Sequence, residues 1–317
     1  MIEWLRVLVG VGVALGLAVT GLGRLAQWWP ALDLVNNGLP ALAAGAIALC
    51  VLAVVTRDWR AIALAGLLAA INIGLIVAGL AGAAAEAAPD AERFLRVASF
   101  NLWFENERID DVVTFLDQTD ADIVMLQEVT GEHLAPLHKG LDARYPYSVG
   151  DFGVVIFSKY AIKADGRVDR AGYPESLRLL ARWVEIDVRG TAVEVVGVHC
   201  ARPSHPLLQA QDVAALTQLL LTRTLPIVVA GDFNLTPWAD RLKRFTRMTE
   251  LGRFNTLILT WPMRWRNDPV LPVVAIDNVF ASREFAKIAV IGGARQGSDH
   301  RPIIADIALA RGPLAKN

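Results

Sequence analysis

The sequence predicts an α/β protein in which two mixed sheets pack face to face with helices outside, preceded by three transmembrane helices. Three observations carry this. Charge is distributed unevenly: residues 1–90 hold four basic and five acidic groups, whereas the remaining residues hold 27 of each. Beyond residue 92, apolar strand-like runs alternate with amphipathic or turn-rich pieces. Some neighbouring runs, such as 179–188 and 192–199 across Arg189-Gly190-Thr191, are joined too tightly for a purely parallel sheet.

The apolar stretches at about 4–23, 39–55 and 61–85 come first. A spanning helix needs roughly 20 mainly apolar residues, a length that the first and third reach. Pro40 marks an entry to the shorter second stretch. Trp28, Trp29 and Trp59 fall in the breaks, where an interfacial aromatic belt places them. A cleaved signal peptide is the competing reading of residues 1–23, but two further apolar runs favour a multi-pass anchor. Arg6 precedes the first span and Arg57 and Arg60 lie between the second and third, against Arg24 alone between the first and second. That bias puts the N-terminus in the cytoplasm and, after three crossings, residues 91–317 outside. The expectation is therefore a multi-pass membrane protein with an extracytoplasmic soluble domain. Gly12 and Gly16 permit close helix packing. The organisation read from this is an anchor over 1–85, a linker over 86–94 and a soluble domain over 95–310.

Strands are expected at Leu95–Asn101, Ile123–Glu128, Gly153–Ser158, Leu179–Val188, Ala192–His199, Ile227–Gly231, Val273–Phe280 and Ile303–Ile307. Helices are expected at Ile109–Gln118, Pro206–Thr222 and Trp238–Met248. Cys50 and Cys200 have no metal-type spacing, and a disulfide between the anchor and the soluble domain is not expected. The formal net charge of −1 argues against a strong non-specific grip on nucleic acid, which normally needs a basic excess.

Polar residues recur where strands end, the place from which rigid scaffolds present functional groups. Asn101 closes the run Ala98-Ser99-Phe100, where an amide orients a carboxylate or phosphate oxygen; alone it also reads as an ordinary turn residue. Glu128 ends an apolar run and offers the hard oxygen ligand that Mg2+ favours, or is simply solvated. His199 closes another run, where structural histidines are common. Gly231-Asp232-Phe233-Asn234 is the most specific segment: the glycine allows a tight turn, and Asp232 and Asn234 alternate to one side of an extended chain. Asp277 and the dipeptide Asp299-His300 complete the set, with His300 and Asp277 suggesting a carboxylate–imidazole pair.

In this order the segments resemble the endonuclease/exonuclease/phosphatase superfamily over about residues 95–310. The resemblance implies a four-layer α/β sandwich and phosphoester hydrolysis dependent on Mg2+ (or Mn2+). It implies Glu128 as principal metal ligand with Asn101 beside it and Asp299 as a metal-site carboxylate. It further implies Asp232 as activator of the water nucleophile, Asn234 as transition-state stabiliser, His199 as a phosphate-contacting or acid histidine, and His300 on the phosphate, oriented by Asp277. One departure is Trp103, which stands where abasic-site endonucleases carry an acid.

The three-span architecture resembles membrane-anchored bacterial members associated with vancomycin or teicoplanin resistance. Residues 238–266 are rich in arginine with interleaved Trp238, Trp261 and Trp265. They read either as a rim for anionic lipid headgroups or as a solvated helix and loop over a core. Arg178, Trp261 and Arg264 are the candidate substrate-binding residues. The expected substrate is a phosphorylated lipid or envelope component; the alternative is a membrane-tethered nuclease acting on extracellular or periplasmic DNA or RNA, for which the basic-aromatic stretch is also suited.

Overall fold

The computed structural model describes residues 2–170, 179–255, 257–265 and 268–310. The chain forms two compact units. One comprises Met1–Ala81 together with Pro203–Ala210 and Leu235–Arg244; the other comprises Gly82–Arg202, Gln211–Asn234 and Phe245–Asn317.

The first unit contains the helices Ile2–Gly23, Leu39–Thr56 and Trp59–Gly79, each long and apolar enough to cross a membrane. The third helix ends at Gly79, so the alanine-rich residues 80–85 lie outside it. Val9, Val13, Ala53 and Ala65 form an apolar seam between these helices. The two glycines singled out in the first helix are used inside this bundle. A Cβ on Gly12 would lie 2.8 Å from the Leu49 side chain, and one on Gly16 would lie 2.5 Å from that of Leu68. Asp58 caps the third helix by accepting the N–H groups of Arg60 and Ala61. Leu8, Val11, Leu15, Val51, Val55, Leu67 and Val77 are exposed, as are Trp28, Trp29 and Trp59.

The second unit contains two six-stranded mixed sheets and a separate two-stranded pair, β10 (Arg264–Trp265) with β11 (Asp268–Pro269). The first holds β1 (Leu95–Asn101), β2 (Ile123–Val129), β3 (Tyr147–Val149), β4 (Gly153–Ser158), β13 (Phe285–Gly292) and β14 (Ile303–Leu309), ordered β13-β14-β1-β2-β4-β3. The second holds β5 (Ile162–Asp169), β6 (Leu179–Val188), β7 (Thr191–His199), β8 (Ile227–Asp232), β9 (Gly252–Arg253) and β12 (Asp277–Ala281), ordered β5-β6-β7-β8-β12-β9. Each sheet has a parallel pair at its centre, β1 with β2 and β7 with β8, while its other pairings are antiparallel.

Alternation along the central strands builds two cores. Val97, Ile123, Met125, Val184, Val195, Val228 and Val279 belong to the cluster formed by residues of both sheets. Ala98, Phe100, Val124 and Leu126 turn the other way, onto Val112, Leu116, Leu137 and Leu141 of the helices Ile109–Thr119 and Gly131–Leu141. On the second sheet Phe233, Phe245 and Phe280 pack edge to face or tilted, with centroids 5.1–5.6 Å apart.

Several elements differ from the sequence expectation. The strand expected at Val273–Phe280 begins only at Asp277; upstream, Val274 makes an isolated bridge to Trp261. The helix Gly131–Leu141 holds Pro136 in its interior and starts on a glycine, both of which hide it from propensity. The edge strand β5 has no fully buried residue and lacks an apolar face to betray it. Residues 84–94 are tied to the sheet margins: Ala84 N–H donates to Arg253 O, Ala87 N–H to Lys287 O and Phe94 N–H to Ile307 O. Both cysteines are free.

Candidate active site

The C-terminal ends of the two central parallel pairs carry the functional candidates. Asn101 ends β1, Glu128 is the penultimate residue of β2, and His199 and Asp232 end β7 and β8 in mutual register. The antiparallel β12 places Asp277 opposite Asp232. The topology thus gathers strand ends far apart in sequence onto one edge.

Local backbone geometry aims several of these groups. In β2 the register with β4 slips between Leu126 and Val129, a bulge around Gln127 and Glu128. Glu128 there adopts φ 54°, a left-handed conformation rarely taken by a residue of this kind. Gly231 has φ 153°, and a Cβ on it would lie 1.9 Å from the Val198 carbonyl oxygen, so glycine alone fits. Asn234 follows at φ 51°, a region that asparagine tolerates.

Asp232 is the hub. Its Oδ1 accepts the Asn234 N–H at 2.8 Å, while its Oδ2 accepts Asn234 Nδ2 at 3.0 Å and Asn101 Nδ2 at 3.1 Å. His300 Nε2 and His199 Nε2 lie 3.8 and 3.9 Å from the same oxygen. Asn101 also donates to Glu128 Oε1 at 3.2 Å, and Asn234 Nδ2 is shared with Cys200 O at 3.0 Å. Glu128 Oε1 faces His199 Nε2 at 3.5 Å and Arg202 at 3.4 Å, and its Oε2 accepts the Phe104 N–H at 3.2 Å. His300 Nδ1 is 2.9 Å from Asp277 Oδ2, and its Nε2 is 4.0 Å from Asp299 Oδ1. All eight polar candidates are therefore brought together.

Electrostatics divides them into roles. Burial raises the Asp232 carboxyl well above the usual range, with the Asp277 charge adding and His300 opposing. Burial alone would lower His300, but the charges of Asp277 and Asp232 outweigh it and push the imidazole up to about 10. Burial lowers His199, against the pull of Glu128. Burial would raise Glu128, yet His199, the Asn101 hydrogen bond and Arg202 hold it below the ordinary value. Burial raises Asp299, opposed by His300 and by Trp261, whose Nε1 donates to Asp299 Oδ2 at 3.1 Å.

Of the substrate-binding candidates, Trp261 is thus bonded to Asp299. Arg264 lies over the Trp103 ring at 4.1 Å, and the Trp103 N–H donates to Asn101 Oδ1 at 3.0 Å. Arg178 lies outside the described residues. The basic-aromatic stretch is only partly a surface: Trp238 and Arg253 are buried and Arg241 pairs with the buried Asp33, whereas Trp261 is 37 % exposed.

Residues that the sequence did not suggest complete the site. Arg202 leans on Glu128. The Ser298 hydroxyl donates to Asn101 O at 2.7 Å and accepts the His300 N–H at 2.9 Å, which joins the last loop to β1. Arg170 donates to His199 O at 2.7 Å and is held bidentately by buried Asp212, which also accepts the Ala201 N–H at 2.7 Å. Only the arginine of the tripeptide Cys200-Ala201-Arg202, next to His199, could have drawn attention to one of them.

A family model described as Endonuclease/Exonuclease/phosphatase family matches residues 98–300, a span that contains every one of the eight. The chain belongs to this family. Solved structures agree on the fold of this endonuclease/exonuclease/phosphatase domain. An endonuclease/exonuclease/phosphatase protein of Bacteroides vulgatus superposes with a TM-score of 0.54 at 20 % identity, covering 68 % of this chain and 99 % of that one. Truncated TDP2 of Caenorhabditis elegans gives 0.57 at 18 % identity, covering 68 % and 97 %. A mannosyl-6-phosphatase of Bacteroides thetaiotaomicron gives 0.55 at 19 % identity, covering 68 % and 100 %. No curated protein sequence matches the chain. Members of the endonuclease/exonuclease/phosphatase family are phosphoester hydrolases, and the two mixed sheets flanked by helices are its fold.

Among the described residues, Asp232, Asp277 and His300 have ligand atoms within 4.8 Å of one another, a geometry open to a metal ion. Their chemistry favours a proton there instead. His300 is bonded to Asp277 through Nδ1, and the charges of Asp277 and Asp232 favour its protonated form, which has no lone pair to give. Glu128 and Asp299 carry carboxylate oxygens of the kind a hard cation takes, while Asn101 turns its Nδ2 to Glu128 and its Oδ1 to the Trp103 N–H.

Proposed function

We propose that this chain is a membrane-anchored phosphoester hydrolase that works with a divalent cation, Mg2+ or Mn2+, on lipid-linked or envelope phosphoesters outside the cytoplasm. The observation that carries the catalytic part is the Asp232 carboxylate, clasped by two amides and faced by two imidazoles. Such a group orients a water molecule and accepts its proton as the water oxygen bonds to phosphorus and the leaving oxygen departs. Burial raises the basicity of Asp232, which suits it to that proton. Asn234 and Asn101 hold the carboxylate while keeping donors close to the phosphoryl position.

The cation fits the donor set at the end of β2. Glu128 is held in its ionised form, and Asp299 supplies further carboxylate oxygens. When bound there, the ion neutralises charge on the phosphoryl oxygens. His300, kept protonated by Asp277, presents a second positive charge to the same oxygens. His199 favours the neutral imidazole, which suits hydrogen-bond donation to phosphate better than proton delivery.

The membrane part is supported by the three long apolar helices and by their arginines. Arg6, Arg57 and Arg60 against Arg24 favour a cytoplasmic N-terminus and an outward catalytic domain. Arg264, Trp261 and Trp103 would meet the substrate headgroup.

The test uses the full-length chain in detergent or nanodiscs with Mg2+ or Mn2+. It is assayed on polyprenyl-linked phosphoesters, phospholipids and plasmid DNA. We expect turnover of a lipid-linked ester that stops on chelation and in Asp232→Ala. Plasmid cleavage without lipid turnover would favour the membrane-tethered nuclease instead. A single engineered surface cysteine in the catalytic domain should react with an impermeant reagent added to intact cells; protection from it contradicts the outward topology.

A further inference from the structure

The unit that contains the apolar helices also contains residues 235–244, which follow Asn234 directly. Its internal contacts show what holds that segment. The connection between the first two long helices forms a short helix, Asp33–Asn37, and both of its ends face residues 235–244.

Asp33 is fully buried. Its carboxylate accepts the backbone N–H groups of Asp240 at 2.7 Å and Arg241 at 3.0 Å, the first two residues of the helix Asp240–Thr249. It also pairs with Arg241 Nε at 3.3 Å and accepts Asn36 Nδ2 at 2.7 Å. The residue before that helix is Ala239, which has no capping oxygen. The cap that the local sequence omits is supplied by a carboxylate about 200 residues away, at the end of the helix where negative charge is favoured.

Asn37 holds the preceding turn. Its Oδ1 accepts both the N–H of Thr236 at 3.2 Å and its hydroxyl at 2.9 Å, and its carbonyl accepts Trp238 Nε1 at 3.5 Å. Arg241 reaches Pro30 O at 2.8 Å and Pro206 O at 3.1 Å. Gly79 permits the backbone at Trp238 to approach the third helix closely: a Cβ there would sit 2.6 Å from Trp238 Cα.

We propose that Asp33 and Asn37 are positioning residues for catalysis. They fix the chain from Thr236 to Arg241, and so fix the exit of the Asp232-Phe233-Asn234 turn, whose Asn234 backbone is already at positive φ. The N-terminal helices are then a working part of the hydrolase rather than a tether. The same contacts put the connection 24–38 on the side of the membrane where residues 235–244 lie, as three crossings require. The proposal rests on Asp232 and Asn234 being the catalytic pair.

The experiment measures hydrolysis of bis(4-nitrophenyl) phosphate by the full-length chain with Mn2+ in detergent. Asn37→Ala and Asn37→Leu, which lose the acceptor for Thr236, should lower kcat by about 10- to 100-fold with little change in KM, the scale expected when a catalytic group is slightly misplaced. Asn37→Asp keeps that oxygen and should restore kcat, a rescue that general loosening of the helices does not predict. Amide hydrogen exchange at Thr236, Asp240 and Arg241 should quicken in Asn37→Ala and Asp33→Ala. Unchanged kcat in Asn37→Ala with an active parent chain overturns this proposal alone. A parent chain inactive on every phosphoester, with the exchange differences present, overturns the hydrolase reading and this proposal with it.

Discussion

His300 Nδ1 lies 2.9 Å from Asp277 Oδ2, and both side chains are buried. Because β12 pairs antiparallel with β8, Asp277 sits opposite Asp232, and the imidazole reaches toward both carboxylates, with Nε2 3.8 Å from Asp232 Oδ2. One ring therefore faces two buried acids, and their charges in turn favour its protonated form.

Asp277→Asn tests that charge balance. The amide retains size but cannot hold an imidazolium, so His300 loses its largest stabilising partner and tends to the neutral form. We expect kcat to fall by about 100-fold or more, the scale seen when preorganised charge stabilisation is removed. His300→Ala should fall comparably, and the double variant little further, because the two act as one device. Independent, additive losses would contradict the pairing.

Glu128→Gln tests the cation site. The amide keeps an oxygen but removes the charge, so the Mn2+ or Mg2+ concentration giving half-maximal activity should rise by about 10- to 100-fold. Saturating metal should recover much of the rate. Arg202→Ala should act in the opposite sense, since removing a cation from Glu128 favours metal entry; an unchanged metal requirement in both variants would sink the assignment.

The buried pair Arg170–Asp212 makes a separate prediction. The two side chains are 9 % and 1 % exposed and clamp the His199 carbonyl and the Ala201 N–H. Asp212→Ala strands a buried guanidinium and should cost about 3–5 kcal/mol of stability, read as a lower midpoint of chemical unfolding. Arg170→Lys keeps the charge but not the fork, and should lower kcat while retaining most of the stability. Equal loss of both quantities in Arg170→Lys would show that the pair only holds the fold.

What the sequence exposed of this site was its polar ends. Asn101, Glu128, His199 and Asp232 each lie at the end of an apolar run and His300 shortly precedes one, and apolar runs are what periodicity detects. It could not show what depends on distance through space. The bulge that turns Glu128 rests on register, the Arg170–Asp212 clamp behind His199 and the remote cap from Asp33 join residues 42 and 207 positions apart, and no local pattern encodes them. The same holds within the basic stretch at 238–266, where Arg241 reads as a surface charge until Asp33 is seen beside it. Elements were missed where composition opposed them, as in the polar strand β5 and the proline-bearing helix Gly131–Leu141.

That helix supplies the last prediction. His133 is buried and its Nδ1 accepts the Thr130 N–H at 3.3 Å, which requires the neutral ring. Burial lowers its pKa below the ordinary 6.5, only partly offset by the Asn106 carbonyl and Glu132. A histidine with a depressed folded-state pKa takes up protons more readily when unfolded, so its contribution to stability is complete above pH 6.5 and is lost as pH falls through the folded value. Thermal unfolding of the full-length chain should therefore shift to lower temperature between about pH 7 and pH 5 by more than in His133→Gln, where glutamine keeps an acceptor at the third helical position and carries no titrating proton. Identical pH profiles for the two chains would show that the ring takes up its proton in the folded state as readily as in the unfolded chain, and would overturn the prediction.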